Sequence, residues 1–110
     1  MFYNATKSAF KRMTQELGLK KDILVTTEDA DAAQVVAQNM RDEIEASDHV
    51  DTGKMINSIT ATVRNGENVV TGVDYAKYVD GRDQEKGEQG FIQPAVDAAI
   101  LDGYNAEKVV

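Results

Sequence analysis

The 110-residue sequence predicts an α+β domain, on three observations. Ala33, Val36, Met40 and Ile44 recur at helical spacing, residues 58–74 alternate about an Asn-Gly dipeptide as a hairpin does, and Pro94 opens an alanine-rich run suited to a helix. The expected arrangement is a long helix and an N-terminal helix packed on a small antiparallel β-sheet, the hairpin 58–74, with a C-terminal helix. The length makes residues 1–110 a single domain with a modest core.

The N-terminal segment reads as an amphipathic helix. Phe2, Thr6, Phe10, Met13 and Leu17 form one stripe, lysines and Arg12 lie off it, and Gly18 is a stop signal. "DILVTT" (22–27) is apolar and β-prone, either a strand or an extended linker. The long helix follows, capped by Thr26 or Thr27, with Glu28, Asp29 and Asp31 in a first turn that favours anions. Ala37 lies beside its buried stripe, Arg41, Asp42, Glu43 and Glu45 lie mostly outside, and it stops near Ser47-Asp48.

In the hairpin, "SITATVR" (58–64) sets Ile59, Ala61 and Val63 on one face. Asn65-Gly66 is a strong turn signal, and "NVVTGVD" (68–74) returns. A two-residue loop pairs Val63 with Asn68. A three-residue loop pairs Val63 with Val69 and Ile59 with Val73, and is the preferred register because a one-residue slip swaps the faces. "YAKYV" (75–79) is a short helix or an extended edge. "DGRDQEKGEQG" (80–90), with no apolar side chain and three glycines, reads as an exposed loop. Ala95, Ala98, Ala99, Ile100 and Leu101 make the apolar face of the last helix, which Gly103 ends.

Composition excludes several functions. There is no cysteine, so disulfides, thiol nucleophiles and thiolate metal sites are absent. His49 is the one histidine, so paired-histidine metal spacings are impossible. No apolar run reaches membrane-spanning length, and the N-terminus does not read as a signal peptide, which predicts synthesis in the cytoplasm. The net charge is −7, unevenly spread. Residues 1–21 carry five basic residues against Glu16 alone, and the remainder carries 7 basic and 18 acidic residues. So acidic a body repels phosphate and is ill suited to grip nucleic acid.

Asp51-Thr52-Gly53 is the tripeptide of aspartic proteases, whose carboxylates meet across a dimer and share a proton. Here a helix precedes the tripeptide and Lys54 follows it, and the predicted helices leave no room for an all-β protease. Asp51 or Thr52 reads instead as a cap that starts a helical turn over residues 53–56, with Met55 and Ile59 as apolar anchors. His49 reads as a solvated loop residue. Asp80, Asp83, Glu85 and Glu88 do not follow calcium-loop spacing, because Arg82 sits at the third position and Glu85 at the sixth, where glycine is required. No catalytic, cofactor-binding or metal-ligating residues are assigned.

Three segments in order resemble a known family: "VDTGKMINSI" (50–59), "VTGVDYAKYVDG" (70–81) and "GFIQPAVDAA" (90–99). They are similar to the small neck, or tail-component, proteins of long-tailed bacteriophages, relatives of the lambda-type tail-completion protein Z. Asp51, Thr52, Gly53, Ser58 and Ile59 match the first motif, with Met55 in a leucine place. Tyr75, Ala76, Tyr78, Val79 and Gly81 match the second, with Asp80 in place of glutamate. Phe91, Ile92, Pro94 and Ala95 match the third. The resemblance spans about residues 32–102. His49 stands where proline is expected, the phenylalanine before Gly81 is missing, Arg82 replaces threonine, and Gly90 replaces the proline before Phe91.

The resemblance implies a structural virion protein, not an enzyme. Copies would form a sixfold or twelvefold ring at the head–tail junction, between the portal-side head connector and the tail terminator or tail tube, with DNA passing through. It needs no cofactor, metal or membrane. It implies that Asp51-Thr52-Gly53 is a turn whose glycine supplies a special backbone angle, and that Phe91 and the last helix pack the domain. Partners would be met by residues 2–21 and 80–90, among them Lys7, Lys11, Arg12, Arg82, Asp83, Glu85 and Lys86. Removing residues 80–90 is then expected to leave a folded chain that cannot join heads to tails. The alternatives are another virion ring, such as a tail terminator or head-closure protein, and a small non-viral protein-binding module.

Overall fold

The computed structural model describes residues 21–46, 52–85 and 90–110. Along them run β1 (Lys21–Thr27), α1 (Ala30–Ala46), α2 (Thr52–Ser58), β2 (Thr60–Arg64), β3 (Glu67–Val73), α3 (Ala76–Glu85), α4 (Ile92–Leu101) and β4 (Ala106–Lys108). The strands make one antiparallel sheet in the order β2-β3-β1-β4. The α+β expectation holds. The N-terminal amphipathic helix falls outside the described residues, except that Lys21 already belongs to β1.

"DILVTT" is an inner strand, not a linker. Its register shifts between Ile23 and Val25, leaving Leu24 as the extra residue of a bulge. A bulge lets consecutive side chains turn the same way, and Leu24 and Val25 are both fully buried in the core. Gly72 makes room for this: a Cβ there would lie 2.8 Å from Leu24 Cδ1 and 3.0 Å from Ile59 Cδ1.

α1 buries the expected stripe, Ala33, Val36, Ala37, Met40 and Ile44, together with Ala32. Its cap is not the expected threonine. Asp29 Oδ1 accepts from Ala32 N–H at 2.8 Å, and Asp29 O takes the first helical bond, from Ala33 N–H at 3.1 Å. Thr27 remains in β1, where its hydroxyl contacts Asn68 O at 2.9 Å. Glu28 is not in the helix either. Its carboxylate accepts from Asn105 N–H at 2.8 Å, and so ties the start of β4 to the end of β1.

The hairpin adopts the two-residue turn. Val63 pairs with Asn68 and Arg64 with Glu67, so the preferred three-residue register is wrong. Asn65 and Gly66 both have positive φ, 53° and 80°. That is the primed turn whose twist matches the strands, and Asn-Gly is the pair that accepts it. Turn chemistry overrides the apolar match: Ala61 faces Val70, and Val63 is left 60 % exposed beside Asn68.

Two further expectations fail after β3. Residues 80–85 are the second half of α3, not loop. The buried face of α4 is Ile92, Ala95, Val96 and Ala99, whereas Ala98, Ile100 and Leu101 point outward. Gly103 does end α4, at φ 96°: Tyr104 N–H bonds Ala99 O and Gly103 N–H bonds Ile100 O, each at 3.0 Å. β4, beyond it, has no counterpart in the sequence reading.

Candidate functional site

The three motifs meet through two buried polar side chains. α2 follows Asp51, which lies outside the described residues, and it sinks Met55 and, just past its end, Ile59 into the core. Ser58 closes it. The Ser58 hydroxyl donates to Met55 O at 2.7 Å and accepts from Val73 N–H at 3.1 Å. The first motif is thus fastened to the strand that carries the second. Just past the same end of β3, Tyr75 O receives the first bonds of α3, from Tyr78 and Val79 N–H. Ala76 is fully buried.

Asp80 is the second fastening. It sits at 2 % exposure inside the segment expected to be loop. Its Oδ1 accepts from Phe91 N–H at 2.8 Å and Ile92 N–H at 3.0 Å, and its Oδ2 meets Lys108 Nζ at 3.0 Å. The N-terminus of α4 has no cap from its own Phe91 side chain. Asp80 supplies that cap from another helix and adds a charge that suits the helix dipole. One carboxylate therefore joins α3, α4 and β4. Gly90 lets it in: at φ 75°, a Cβ would be driven into the Asp80 carboxylate and would lie 3.0 Å from Asp80 O. Proline, which stands here in the proteins the motif resembles, cannot take that φ.

Gly53 corrects one implication of the resemblance. It lies within α2, it is not among the glycines of positive φ, and nothing approaches the place of its Cβ. No special angle is required of it. Gly53→Ala is expected to leave stability unchanged or raise it by up to about 1 kcal/mol, because alanine is the better helix former; urea unfolding of the two proteins measures this.

Tyr78, assigned to a structural motif, is 69 % exposed. Arg82, one turn on along α3, is exposed on the same side. Lys77 pairs with Asp22 at 3.0 Å and lies 5.4 Å from the Tyr78 ring centre. The Asp22 hydrogen bond and charge raise the Lys77 pKa above its ordinary value. Asp83 and Glu85 fall in the last turns of α3. Lys7, Lys11, Arg12 and Lys86 lie outside the described residues. Pro94 stands in the first turn of α4 as expected, and Ala95 and Phe91 are buried. Removing residues 80–90 would delete Asp80 and half of α3, so a folded product is no longer expected.

Ser58 and Asp80 spend their polar atoms on backbone N–H and C=O groups and on Lys108, as joints do. Asp80, Gly90 and Lys108 were not legible as a set in the sequence, because they stand far apart along the chain and no local pattern marks them. Among the described residues, no group of three or more histidine, cysteine or carboxylate side chains could hold a metal ion. No described helix is long and apolar enough to cross a membrane. An open hollow of about 460 Å³ lies at one end of the sheet, lined by Glu28, Glu67 and Glu107 with Thr26, Thr27, Asn105 and Ala106. Comparison with protein-family models, curated proteins and solved structures finds no match to this chain.

Proposed function

We propose that this chain is a structural subunit of the bacteriophage neck, a ring that joins the head connector to the tail and lets DNA pass. The observation that carries the reading is the ordered set of three motifs, 50–59, 70–81 and 90–99. Their matched residues include Ser58, Ile59, Ala76, Phe91 and Ala95, which are buried, and Tyr78, which is offered to solvent. Buried joints that fix one segment to another suit a subunit whose work is to fit between neighbours. The excess of carboxylates after residue 21 suits a channel wall, since it repels the DNA backbone and lets the genome slide. The partners are copies of itself in a sixfold or twelvefold ring, the portal-side connector, and the tail terminator or tail tube.

Mixing purified protein with phage heads lacking tails tests this. Electron microscopy is expected to show an added ring at the connector, and native mass spectrometry a sixfold or twelvefold complex. Protein that never associates with heads or tails, or that cleaves a peptide with activity lost on Asp51→Asn, overturns the reading.

A further inference from the structure

Among the described residues the sheet has two open edges, β2 and β4, and they match each other. The two-residue turn makes Arg64–Glu67 a hydrogen-bonded pair, so Ala61 and Val63 turn their N–H and C=O groups away from β3. On the other edge, Glu28 N–H bonds Asn105 O and Val109 N–H bonds Leu24 O, so Ala106 and Lys108 turn theirs away from β1. Exposed apolar side chains mark both rims: Val63 on one, Val109 at 47 % and Val110 at 45 % on the other.

Natural edges are often guarded by an outward lysine. Lys108 is not such a guard, because its amine is turned in to Asp80. Arg41 already occupies the edge carbonyl of Ile59, at 2.9 Å, which limits the open part of β2 to Ala61 and Val63.

We propose that β2 of one copy pairs antiparallel with β4 of the next, so that the sheet continues head-to-tail from subunit to subunit. Four strands alternating in direction place β4 of a neighbouring copy antiparallel to β2 when the two copies share one orientation. The register that sets Ala61 opposite Val110 and Val63 opposite Lys108 joins outward-facing residues on both strands. It also sets Arg64 opposite Glu107. Glu107 lines the acidic hollow with Glu28 and Glu67, and among the described residues no lysine or arginine lines it; Arg64 of the neighbour, whose guanidinium lies 3.5 Å from its own Lys21 O, turns to supply a cation there. On the helix-covered face, Val110 comes to the small cavity of about 110 Å³ between Ala33 and Gln34 of α1 and Ala61 and Val63 of β2. A contact of so few residues is smaller than a stable dimer needs. Each subunit makes it twice in a closed ring, where the last contact forms intramolecularly. The closure, though not the edge pairing, rests on the neck-ring reading.

The absence of cysteine makes a direct test clean. Thr62 and Val109 oppose each other as a non-hydrogen-bonded pair in this register, with Cα atoms about 4.5 Å apart, within disulfide reach. The full-length double variant Thr62→Cys/Val109→Cys, oxidised at high protein concentration, is expected to give a ladder of multimers on a non-reducing gel. Each single variant stops at dimer. Adding Arg64→Glu is expected to lower the ladder at least about tenfold by setting like charges together, and adding Glu107→Arg to that restores it. Circular dichroism confirms that every variant is folded. Rings on phage heads without a ladder overturn the edge pairing and leave the neck reading standing. A ladder that runs on into open filaments upholds the pairing and overturns the ring. Neither ladder nor ring overturns both.

Discussion

Asp80→Ala is expected to destabilise the protein by about 3–5 kcal/mol, the cost of breaking a buried, hydrogen-bonded charge pair from one side. Three groups lose their partner together: the N–H of Phe91, the N–H of Ile92 and the ammonium of Lys108. The two N–H groups are the first donors of α4, which no residue of the helix itself satisfies, and Phe91 and Ile92 are buried too deeply for water to replace the carboxylate freely. A domain of about 100 residues melts about 4–8 °C lower for each kcal/mol lost. Against a total stability of about 5–15 kcal/mol, the variant stands close to unfolding. Two milder changes separate the contributions. Asp80→Asn keeps an oxygen for the N–H groups and loses the ion pair. Lys108→Met keeps the carboxylate and its N–H bonds, and its long stem is replaced in kind. Urea unfolding is expected to place Asp80→Ala below both, because it alone strips the two N–H groups and the ammonium of their partner at once. If Asp80→Ala unfolds at the parent's urea midpoint, the joint between α3, α4 and β4 is not as described.

What the sequence made legible follows a physical division. Periodicity reports burial on one face, so α1 emerged with its stripe correct, and so did the anchors Met55 and Ile59. Turn chemistry is local, so Asn65-Gly66 and Gly103 emerged as well. The failures come where a distant group decides. Residues 80–85 look like loop because they hold no apolar side chain, yet Phe91, Ile92 and Lys108 give Asp80 a buried place and the helix continues around it. Asp29 displaced Thr27 as cap because Thr27 was needed in β1 opposite Asn68. Alternation put Val63 on one face with Ile59 and Ala61, and it is exposed because the register set by the turn leaves it on an edge strand opposite Asn68. β4 is three residues long, too short for any periodic signal, and exists because Glu28 and the edge of β1 receive it. In the candidate site the motif segments were visible in the sequence as separate stretches. The buried partners that tie them together were not, because those ties run between segments far apart in sequence.

Gly90→Pro, which installs the residue found before the phenylalanine in the family motif, is expected to be the most damaging change outside Asp80, at about 3 kcal/mol or more. Gly90 has φ 75°, and a proline ring holds φ near −65°. The chain would have to enter α4 by another route, withdrawing the Phe91 and Ile92 N–H groups from Asp80. Gly90→Ala isolates the two causes. Alanine is disfavoured at this φ by about 1–2 kcal/mol, and its Cβ is also driven into the Asp80 carboxylate. In the Asp80→Ala background the carboxylate clash is gone and only the 3.0 Å approach to the carbonyl oxygen of residue 80 remains, so Gly90→Ala should cost less there. The two changes are therefore expected to add to less than the sum of their separate effects, as coupled neighbours do. A double-mutant cycle by urea unfolding measures that difference. Strict additivity would mean that Gly90 and the Asp80 carboxylate do not touch. A Gly90→Pro protein as stable as the parent would mean that this chain enters its last helix with an ordinary backbone angle at residue 90.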